Sequence, residues 1–502
     1  MTADQRAAAS RLREVFLDVG FTADGVLAML GSSAYAALGR DEMVPARQVL
    51  ADRTGVDVDL VRLFVLGDAV ERSRLNPLLP VADMEFLELV GGTPSIAALV
   101  DVRPYGESDT EWYVVSDHGP GTAGRSVVEV AADHVLGVGG ASLTLARITP
   151  RDGVDSALDL GTGCGVQALH LGRHAKAVVA TDRNGRALRL AGVTAALSGQ
   201  RWDLREGSLF EPVAGAQFDL VVSNPPFVIS PGHRYTYRDA GLPADDLGRV
   251  LVQQAPTYLR DGGTAVILAN WLHRADEDWR ERVAAWLEST GCDSWVAQRE
   301  VQDPAEYVGL WLRDAGHAGV DHDRRYDEWL RALDDMGAEG IGFGWIVLHR
   351  GGSYGELGPR LEDVSAADRQ PRGDEVTALM AARARWHEFG VVALLDSCPR
   401  RPEGLRLVTE ERADPKGYLL GVPGSLGVIG GWRQDELVDV VTSALIRAFD
   451  GHTSVSAAVD VVSAELELDV DDVLAGAILR VRELVEDGAL ILEVDPKLPD
   501  PR

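Results

Sequence analysis

The chain has 502 residues, more than one hydrophobic core usually supports, and its 46% hydrophobic and 25% charged residues are typical of a globular protein with two or three domains. Its 49 basic and 78 acidic residues give a net charge of −29, which disfavours a free-standing nucleic-acid-binding protein because such a field repels phosphates. No apolar run approaches the roughly 18 residues that span a bilayer. The first residues lack the order of a signal peptide, so we expect a cytoplasmic protein without membrane contact.

The three cysteines, Cys164, Cys292 and Cys398, lie far apart in the sequence and form no CxxC pair. This spacing disfavours both a structural zinc site and a disulfide framework. We therefore expect reduced thiols and no bound metal.

Residues 1–125 are predicted to form a small module that is helical or resembles a winged helix. Apolar residues recur at spacings of three or four in the segments 11–19, 25–30, 46–54 and 59–66. The runs IAALVDVRPY and EWYVVSD then predict the two strands of a hairpin.

A domain at 126–350 is predicted from the alternation of strand-like and helical patterns that follows. The short apolar runs SALDL, AVVATD, FDLVVSN and TAVILAN predict strands, separated by helical segments such as GRALRLAGVTAAL. This alternation predicts an α/β fold with a parallel sheet, right-handed crossovers and helices on both faces. The runs SWVAQREV and GIGFGWIVLHR are expected to end the domain as an antiparallel pair, with an acidic helical stretch at 303–338 between them.

Residues 351–375 are rich in glycine, proline and charge, and are predicted to be a linker. In 376–502, the runs TSVSAAVDVVSAEL, DVDDVLAGAILRVRELVEDG and ALILEV predict helix, helix and strand, the order of a winged helix. Residues 351–502 carry 16 basic and 28 acidic side chains. We therefore expect this winged-helix-like domain to bind protein or to form a homodimer rather than to bind DNA.

A strand that leads into a glycine-rich turn and then a helix is predicted from the segment ALDLGTGCG at 157–165. Gly161, Gly163 and Gly165 let the backbone approach a ligand where a Cβ would collide, which indicates a nucleotide-type cofactor. The dinucleotide-binding motif would place its third glycine at position 166, which is Val166, and the P-loop lysine is missing. Neither phosphate-binding motif therefore fits.

Two acidic residues narrow the choice of cofactor. Asp159 stands at the start of the turn, where a carboxylate suits an ammonium group and would repel a pyrophosphate. Asp182 ends the next strand, 23 residues later, and an acid there can accept hydrogen bonds from both hydroxyls of a ribose. A ligand with an ammonium group, a ribose and no phosphate is S-adenosylmethionine, which we predict as the cofactor.

A third motif, Asn224-Pro225-Pro226-Phe227, follows the run FDLVVS. With the glycine loop and both acids in this order, residues 126–350 resemble the class I S-adenosylmethionine-dependent methyltransferases, specifically the subgroup with an NPPF or NPPY motif. That subgroup includes the glutamine methyltransferases of peptide release factors, the guanine-N2 methyltransferases of ribosomal RNA and adenine-N6 methyltransferases. The resemblance implies a Rossmann-like core of seven strands, here with additional N-terminal and C-terminal domains.

The resemblance also implies the residues of the cofactor site. Ser208 stands where many relatives have an acid that binds the adenine amino group, so backbone amides near it are expected to hold the ring instead. Ser142 or Thr144, in a loop that lies over the cofactor in relatives, is expected to contact the cofactor carboxylate, with a helix N-cap at Ser142 as the alternative. The full predicted set is Asp159, Gly161, Thr162, Gly163, Gly165, Asp182, Arg183, Ser208, Leu209 and Asn224.

The catalytic residues implied by the resemblance are Asn224, Pro225, Pro226 and Phe227. The Asn224 side-chain oxygen and the Pro225 carbonyl would each accept one N–H of a planar NH2 group and so orient its nitrogen toward the sulfonium methyl. The prolines fix φ and remove two backbone donors, and Phe227 would stack on the flat group that carries the nitrogen.

Several classes of function stay open at this point. The first is methylation of a glutamine side chain of a protein such as a translation factor, which the acidic flanking modules favour. The second is methylation of an exocyclic amine of RNA or DNA, which Phe227 favours because the glutamine group usually has Tyr. The third is a non-catalytic S-adenosylmethionine-binding interaction protein, and a small-molecule acceptor is a further alternative.

Residues beyond the motif are weaker candidates. A loop of basic and aromatic residues either grips a substrate or forms a solvated flap; it contains His233, Arg234, Tyr235, Tyr237 and Arg238. Trp271 and His273 follow the next strand and are candidates for lining the same cleft.

Overall fold

The computed structural model describes residues 1–40, 42–75, 79–107, 110–119, 131–231, 244–314, 321–351, 358–367, 369–413, 415, 419–429 and 431–492. The chain forms two compact units. The first comprises Met1–Ala146, Arg151–Thr290 and Gln298–Arg350. The second comprises Arg147–Pro150, Gly291–Ala297 and Gly351–Arg502.

Helices form the beginning of the first unit, as the apolar spacing predicts. They are α1 (Ala3–Asp18), α2 (Ala23–Leu38), α3 (Val44–Leu50) and α4 (Val56–Leu60), which continues as a π-helical segment at Val61–Val65. Thr2 begins α1 through a capping box, because its hydroxyl accepts from the Gln5 N–H and the Gln5 side chain accepts from the Thr2 N–H. None of the described helices is by itself long and apolar enough to cross a membrane; α1 and α2 pass such a test only as a pair, with a bend of 49° between them.

A small sheet and a hairpin follow the helices. The elements are β1 (Val70–Glu71), α5 (Arg72–Leu75), α6 (Val81–Phe86), β2 (Val90–Gly91), β3 (Ser95–Ala98), β4 (Asp101–Glu107) and β5 (Thr110–Ser116). The first three strands have the order β1-β3-β2, and their succession with the helices is that of a winged helix, which stays a prediction for this module. Antiparallel pairing of β4 with β5 confirms the predicted hairpin.

The predicted α/β domain is present between residues 140 and 349. Its helices are α7 (Gly140–Ile148), α8 (Val166–Leu171), α9 (Gly185–Leu197), α10 (Asp246–Gln254), α11 (Trp279–Leu287), α12 (Pro304–Asp314) and α13 (His322–Asp335). Its strands are β6 (Val154–Leu160), β7 (Ala175–Asp182), β8 (Asp203–Glu206), β9 (Phe218–Ser223), β10 (Leu259–His273), β11 (Asp293–Gln302) and β12 (Gly340–His349).

The seven strands of this domain have the order β11-β12-β10-β9-β6-β7-β8. Strands β10, β9, β6, β7 and β8 run parallel, and β12 pairs antiparallel with β10. This confirms the Rossmann-like fold. Because parallel strands end at one edge of the sheet, the segments after Leu160, Asp182 and Ser223 lie together there, where ligands bind in open α/β sheets.

The N-terminal module packs on α8 and α9 of the α/β domain. Backbone N–H groups of Tyr113 and Val115 on β5 donate to the hydroxyls of Ser198 and Thr194, each at 3.0 Å. Buried side chains from both parts form one hydrophobic cluster, which includes Phe16, Phe21, Phe64, Tyr113, Val166, Leu169, Leu190, Val193 and Leu197. The domain boundary predicted at residue 125 falls outside the described residues, and the two parts share a core.

The second unit combines a three-stranded sheet with helices. Its elements are β13 (Arg360–Asp363), α14 (Gly373–Asp396), β14 (Leu405–Ala413), β15 (Leu419–Val428), β16 (Glu436–Val438), α15 (Val440–Ala448), α16 (Val455–Leu466) and α17 (Val470–Glu486). The order β14-β15-β16 is antiparallel. The last two helices agree with the predicted pair, whereas the predicted final strand is a single bridge between Ile491 and Arg400 among the described residues. Within the predicted linker at 351–375, β13 is formed and α14 begins.

Buried ion pairs hold the helices of the second unit together. Arg383 on α14 is 2% exposed; it donates to the Glu486 carboxylate at 3.1 Å and to the carbonyl oxygen of Gly358 at 2.8 Å. Glu486 also accepts from Arg360 at 3.0 Å and from Arg482 at 3.1 Å. One buried carboxylate therefore joins α14, β13 and α17.

Arg383→Met should lower the free energy of unfolding of the second unit by about 3 kcal/mol, because removing one partner of a buried ion pair leaves charge and hydrogen-bonding groups unpaired. Arg406→Met, at an exposed pair with Asp435, should lower it by less than about 1 kcal/mol. Urea unfolding followed by hydrogen–deuterium exchange of peptides from α14 and α17 measures both. Equal effects of the two substitutions would contradict this role of the buried pair.

Candidate active site

A cavity of about 820 Å³ opens at the carboxyl edge of the parallel strands. Its volume is within the range of pockets for small molecules and cofactors. Of the predicted site residues it is lined by Gly161, Thr162, Gly163, Asp182, Arg183, Ser208, Leu209, Asn224, Pro225 and Pro226. The structure therefore brings most of the predicted site together around one space.

The glycine loop leaves its cavity side open. Gly161 and Gly163 have φ of +77° and +55°, and a Cβ built on either one meets no atom within 4 Å. Both line the cavity, so a ligand can approach the backbone where a side chain would stand. Gly165, with φ of +94°, has a different role, because a Cβ there would come within 2.6 Å of the Trp202 ring. It is not among the cavity residues and permits close packing at the start of α8.

Asp159 lies beneath the loop rather than in the cavity. The residue is 1% exposed, and its carboxylate accepts from the Thr162 hydroxyl at 2.6 Å and from the Ala168 N–H at 3.0 Å. Burial raises the pKa of the Asp159 carboxyl to about 7; the two hydrogen bonds oppose that shift, and the charge of Asp182 adds to it. Asp159 thus fixes the loop to the first turn of α8 and carries a charge that a nearby cation would stabilise.

Asp182 lines the cavity at the end of β7. One of its oxygens accepts from the Gly163 N–H at 2.9 Å and the other from the Asn184 N–H at 2.8 Å. Burial raises the pKa of this carboxyl as well, against the effect of those hydrogen bonds. One buried and one partly buried carboxyl group with mutually unfavourable charges favour a cationic ligand, and S-adenosylmethionine carries both a sulfonium and an ammonium group.

The segment after β8 provides the part of the cavity that we predict for adenine. Gly207 donates its N–H to the carbonyl oxygen of Asp182 at 3.0 Å, which fixes this segment beside the predicted ribose-binding acid. Gly207, Ser208 and Leu209 all line the cavity. Their placement agrees with an adenine ring held by backbone groups, which stays a prediction.

The loop before α7 covers another side of the cavity. Ser142 lines the cavity, but α7 begins at Gly140, so Ser142 lies within the first turn of the helix and the alternative of an N-cap there is wrong. Thr144 is buried; its hydroxyl accepts from Arg299 at 3.2 Å and is not among the cavity residues. Of the two candidates for the cofactor carboxylate, the structure therefore places Ser142 at the cavity.

The Asn224 segment forms a tight turn at the cavity. The Ser223 hydroxyl donates to the carbonyl oxygen of Leu160 at 2.8 Å, which ties the start of the segment to β6. The Phe227 N–H donates to the carbonyl oxygen of Pro225 at 2.8 Å, which closes a three-residue γ-turn. A carbonyl oxygen has two lone pairs, so Pro225 can accept a second hydrogen bond. Asn224 lines the cavity, and its carboxamide forms no hydrogen bond with any of the described residues.

The orientation of the Phe227 ring differs from the one that its predicted stacking role requires. It is not among the cavity residues, and its ring stands edge-on to Phe343, with centroids 6.2 Å apart and an interplanar angle of 78°. The ring packs at the edge of a hydrophobic cluster that contains Phe343. Stacking of Phe227 on the acceptor therefore stays a prediction, and the contact that the structure shows is one that holds the turn.

Other predicted candidates lie elsewhere. Trp271 is fully buried, and its ring N–H donates to Gln298 at 2.9 Å; His273 contacts the same Gln298 oxygen at 2.7 Å. Neither residue lines the cavity. The basic and aromatic loop, with His233 to Arg238, lies outside the described residues.

Sequence patterns did not reveal every residue of the cavity. The N-terminal module and the adjoining loop contribute Asp101, Arg103, Ser116, Asp117 and His134, and the last helical connection contributes Trp311 and Arg313. The predicted hairpin ends at Ser116, and an acid follows directly, but nothing in that pattern indicates a distance to the glycine loop. These residues reach the cavity only through packing between distant parts of the chain.

Gly161→Ala should weaken binding of S-adenosylhomocysteine at least tenfold, because the new Cβ occupies cavity space and the backbone has a positive φ. Gly215→Ala is the matched control, since Gly215 has φ of +79°, nothing within 4 Å of a built Cβ, and lies outside the cavity. Both changes carry similar backbone strain, about 1–2 kcal/mol. Calorimetry should show weakened binding of S-adenosylhomocysteine for Gly161→Ala but not for Gly215→Ala. Equal affinities of the two variants would contradict the cavity assignment.

Affinity for S-adenosylmethionine should rise with pH between about 5.5 and 7.5. The pKa of Asp159 is about 7 in the ligand-free protein. Below that pH, binding of the cationic cofactor must release the proton of Asp159, which changes the affinity by up to about tenfold per pH unit. The raised pKa also means that the folded state holds a proton that the unfolded chain has released, so the stability of the ligand-free protein falls as pH rises from about 4 to 7.

Asp159→Asn keeps an oxygen that can accept the two hydrogen bonds. It should reduce the pH dependence of cofactor affinity and that of stability, and the pH dependence that persists should come from Asp182. Calorimetry in two buffers of different ionisation enthalpy measures the proton release on binding. A wild-type affinity that does not change with pH would show that Asp159 is not coupled to the cofactor.

Comparison with known protein families agrees with this geometry. Residues 137–284 match the family described as the methyltransferase small domain. This match contains the glycine loop, Asp182 and Asn224-Pro225-Pro226-Phe227. Residues 18–98 match a separate family described as a domain of unknown function (DUF7059).

Curated relatives are similar to part of the chain. The release factor glutamine methyltransferase of Geobacter sulfurreducens is 35% identical over 158 residues, which are 28% of this chain and 53% of that protein. The ribosomal RNA small subunit methyltransferase C of Alcanivorax borkumensis is 34% identical over 113 residues, 22% of this chain and 31% of that protein. A solved structure of the T. thermophilus 16S rRNA N2 G1207 methyltransferase with AdoMet and guanosine has a TM-score of 0.29 and 17% identity, over 59% of this chain and 70% of that chain.

The chain spans about half the length of the curated glutamine methyltransferases that it matches. The family match to residues 137–284 covers the glycine loop, Asp182 and the Asn224 segment, and it confirms the resemblance drawn from the motifs. Residues 137–284 match the methyltransferase small-domain family, and this match supports S-adenosylmethionine as the cofactor.

Proposed function

We propose that the chain is an S-adenosylmethionine-dependent N-methyltransferase that acts on the side-chain amide of a protein glutamine. Two observations carry this proposal: Asn224 lines the cavity, and its carboxamide has no hydrogen-bond partner among the described residues. A polar group so placed has its hydrogen-bonding capacity free for a ligand. The Pro225 carbonyl beside it keeps one lone pair free in the γ-turn.

These two acceptors suit a planar NH2 group. The Asn224 oxygen and the Pro225 carbonyl each accept one N–H of the acceptor amide and so hold its nitrogen in a single orientation. Delocalisation of the nitrogen lone pair makes an amide a poor nucleophile, and acceptors on both N–H groups favour positive charge on that nitrogen. Positioning of this kind contributes up to about 7–11 kcal/mol to lowering a barrier.

The cofactor would be held by other residues that line the same cavity. The Asp182 carboxylate would accept from the ribose hydroxyls, and the open faces of Gly161 and Gly163 would admit the rest of the molecule. When bound, S-adenosylmethionine supplies an electrophilic methyl group on a sulfonium. Transfer to the amide nitrogen would form the new N–C bond as the S–C bond breaks; S-adenosylhomocysteine would leave, and the nitrogen would lose its proton to solvent.

A protein acceptor is supported by charge and by the relatives. The net charge of −29 disfavours approach of naked RNA and favours a basic protein partner. Two groups of relatives are named for glutamine methylation, of release factors and of ribosomal protein uL3. We infer that the acceptor is a protein of the translation apparatus, and that the acidic second unit binds a protein partner or a second copy of the chain.

Methylation of an exocyclic amine of ribosomal RNA is the second candidate. Phe227 replaces the Tyr that is usual in the glutamine group, and one relative is named as a ribosomal RNA methyltransferase. A guanine or adenine amine is also a planar NH2 group and would fit the same two acceptors. The two candidates therefore differ in what surrounds the acceptor rather than in the chemistry of transfer.

Asn224→Ala should reduce kcat about a hundredfold or more and leave affinity for S-adenosylhomocysteine unchanged, because its side chain orients the acceptor nitrogen. Asp182→Ala is the matched comparison; it should weaken cofactor affinity, since it removes the predicted ribose acceptor. Transfer of labelled methyl groups to purified release factor, together with calorimetry, separates the two effects. Wild-type turnover by Asn224→Ala would exclude nitrogen methylation at this motif.

A further inference from the structure

A pair of helices outside the family match contacts the acceptor motif. Helices α12 and α13 lie between strands β11 and β12, beyond residue 284, where the match ends. Their apolar side chains share one buried cluster with the residues that follow Phe227; the cluster includes Val228, Ile229, Tyr307, Leu312, Trp329 and Phe343. This connection is therefore part of the wall of the acceptor site.

Tyr307 on α12 forms the most direct link to the motif. The residue is fully buried, and its hydroxyl accepts from the Ile229 N–H at 2.7 Å. The Asn270 amide donates to the same oxygen at 3.4 Å. Ile229 is only 2% exposed, so without this hydroxyl its N–H would be a buried donor lacking its bond. Tyr307 thus fixes the backbone two residues after Phe227.

The motif is held at both of its ends by hydroxyl groups. At its start, Ser223 donates to Leu160 on β6, and after its end Tyr307 accepts from Ile229. Because the Asn224 side chain has no internal hydrogen bond among the described residues, its direction depends on the backbone between these two points. A change at Tyr307 should therefore alter the orientation of the acceptor amide without touching the cofactor.

The same helix reaches the cavity four and six residues later. Trp311 and Arg313 line it together with Asn224 and Pro225. Arg313 is exposed and, in the part of the chain that the structure describes, makes no ion pair, whereas Arg103 of the same cavity is paired with an acid at 2.8 Å. Its guanidinium can donate to the main-chain carbonyl oxygens of an extended peptide beside the acceptor amide.

We propose that α12 is the acceptor-recognition helix of the protein. In this assignment, which rests on the proposed function, Tyr307 is a positioning residue that holds the Asn224 segment. Arg313 binds the main chain of the peptide that carries the glutamine. The family domain then supplies the methyl-transfer chemistry, and a connection outside it selects the acceptor.

Tyr307→Phe tests the positioning role, with Tyr326→Phe as the matched control. Tyr326 lies on α13 and is partly buried against the same cluster, but its hydroxyl donates to the Ala305 carbonyl at 2.7 Å and not to the motif. Tyr307→Phe should speed amide exchange at Ile229 and lower kcat on purified release factor about tenfold, with affinity for S-adenosylhomocysteine unchanged. Tyr326→Phe should leave all three quantities unchanged. Unchanged exchange at Ile229 in Tyr307→Phe would overturn the positioning role.

Arg313→Gln tests the recognition role with the same release factor as the probe. The KM for the release factor should rise about tenfold at unchanged kcat, and Arg313→Lys should restore part of the loss. An unchanged KM for the release factor would overturn this role. If Arg313→Gln lowered only the methylation of naked ribosomal RNA, Arg313 would bind RNA and not a peptide.

If the wild-type protein methylates neither probe, the proposed function fails and the Arg313 assignment fails with it. Amide exchange at Ile229 still decides whether Tyr307 holds the motif, because that measurement needs no acceptor.

Discussion

The buried carboxyl group of Asp159 is the interaction on which the site depends. It holds the glycine loop to the start of α8 through Thr162 and Ala168, while Asp182 holds the loop from the other side through Gly163. With the loop fixed at both points, its glycines present open backbone to the cavity. This arrangement partly desolvates two acids in one site, which disfavours their ionised forms. A cationic cofactor would stabilise those ionised forms. Loop shape and ligand preference thus have one physical origin.

Elements on two sides of the family domain complete the cavity. The hairpin of the N-terminal module contributes Asp101, Arg103 and Ser116, and α12 contributes Trp311 and Arg313. The hairpin is fixed by backbone N–H groups that donate to hydroxyls of Thr194 on α9 and Ser198 at its C-terminal end, and by a shared core. The cavity therefore contains residues from outside the family domain as well as from within it.

The chemistry of the site could be predicted from sequence because it is local. The turn around Gly161 and Gly163, the acid at the end of the next strand and the Asn224 segment each lie in a few consecutive residues, and the parallel sheet brings their strand ends together. Contacts set by packing could not be predicted. Gly165 meets Trp202, and Phe227 meets Phe343, across long sequence separations. Tyr307 contacts Ile229 across 78 positions, a pairing that no spacing rule indicates.

Mass spectrometry of the methylated product tests whether the Asn224 segment orients the side-chain amide of a substrate glutamine for methylation. The protein is incubated with S-adenosylmethionine carrying a deuterated methyl group and with purified release factor and ribosomal RNA together. We expect one labelled methyl on a glutamine side-chain nitrogen of the release factor, and none when Asn224→Ala replaces the wild type. Label on a guanine or adenine amine of the RNA, with none on the protein, would contradict this expectation.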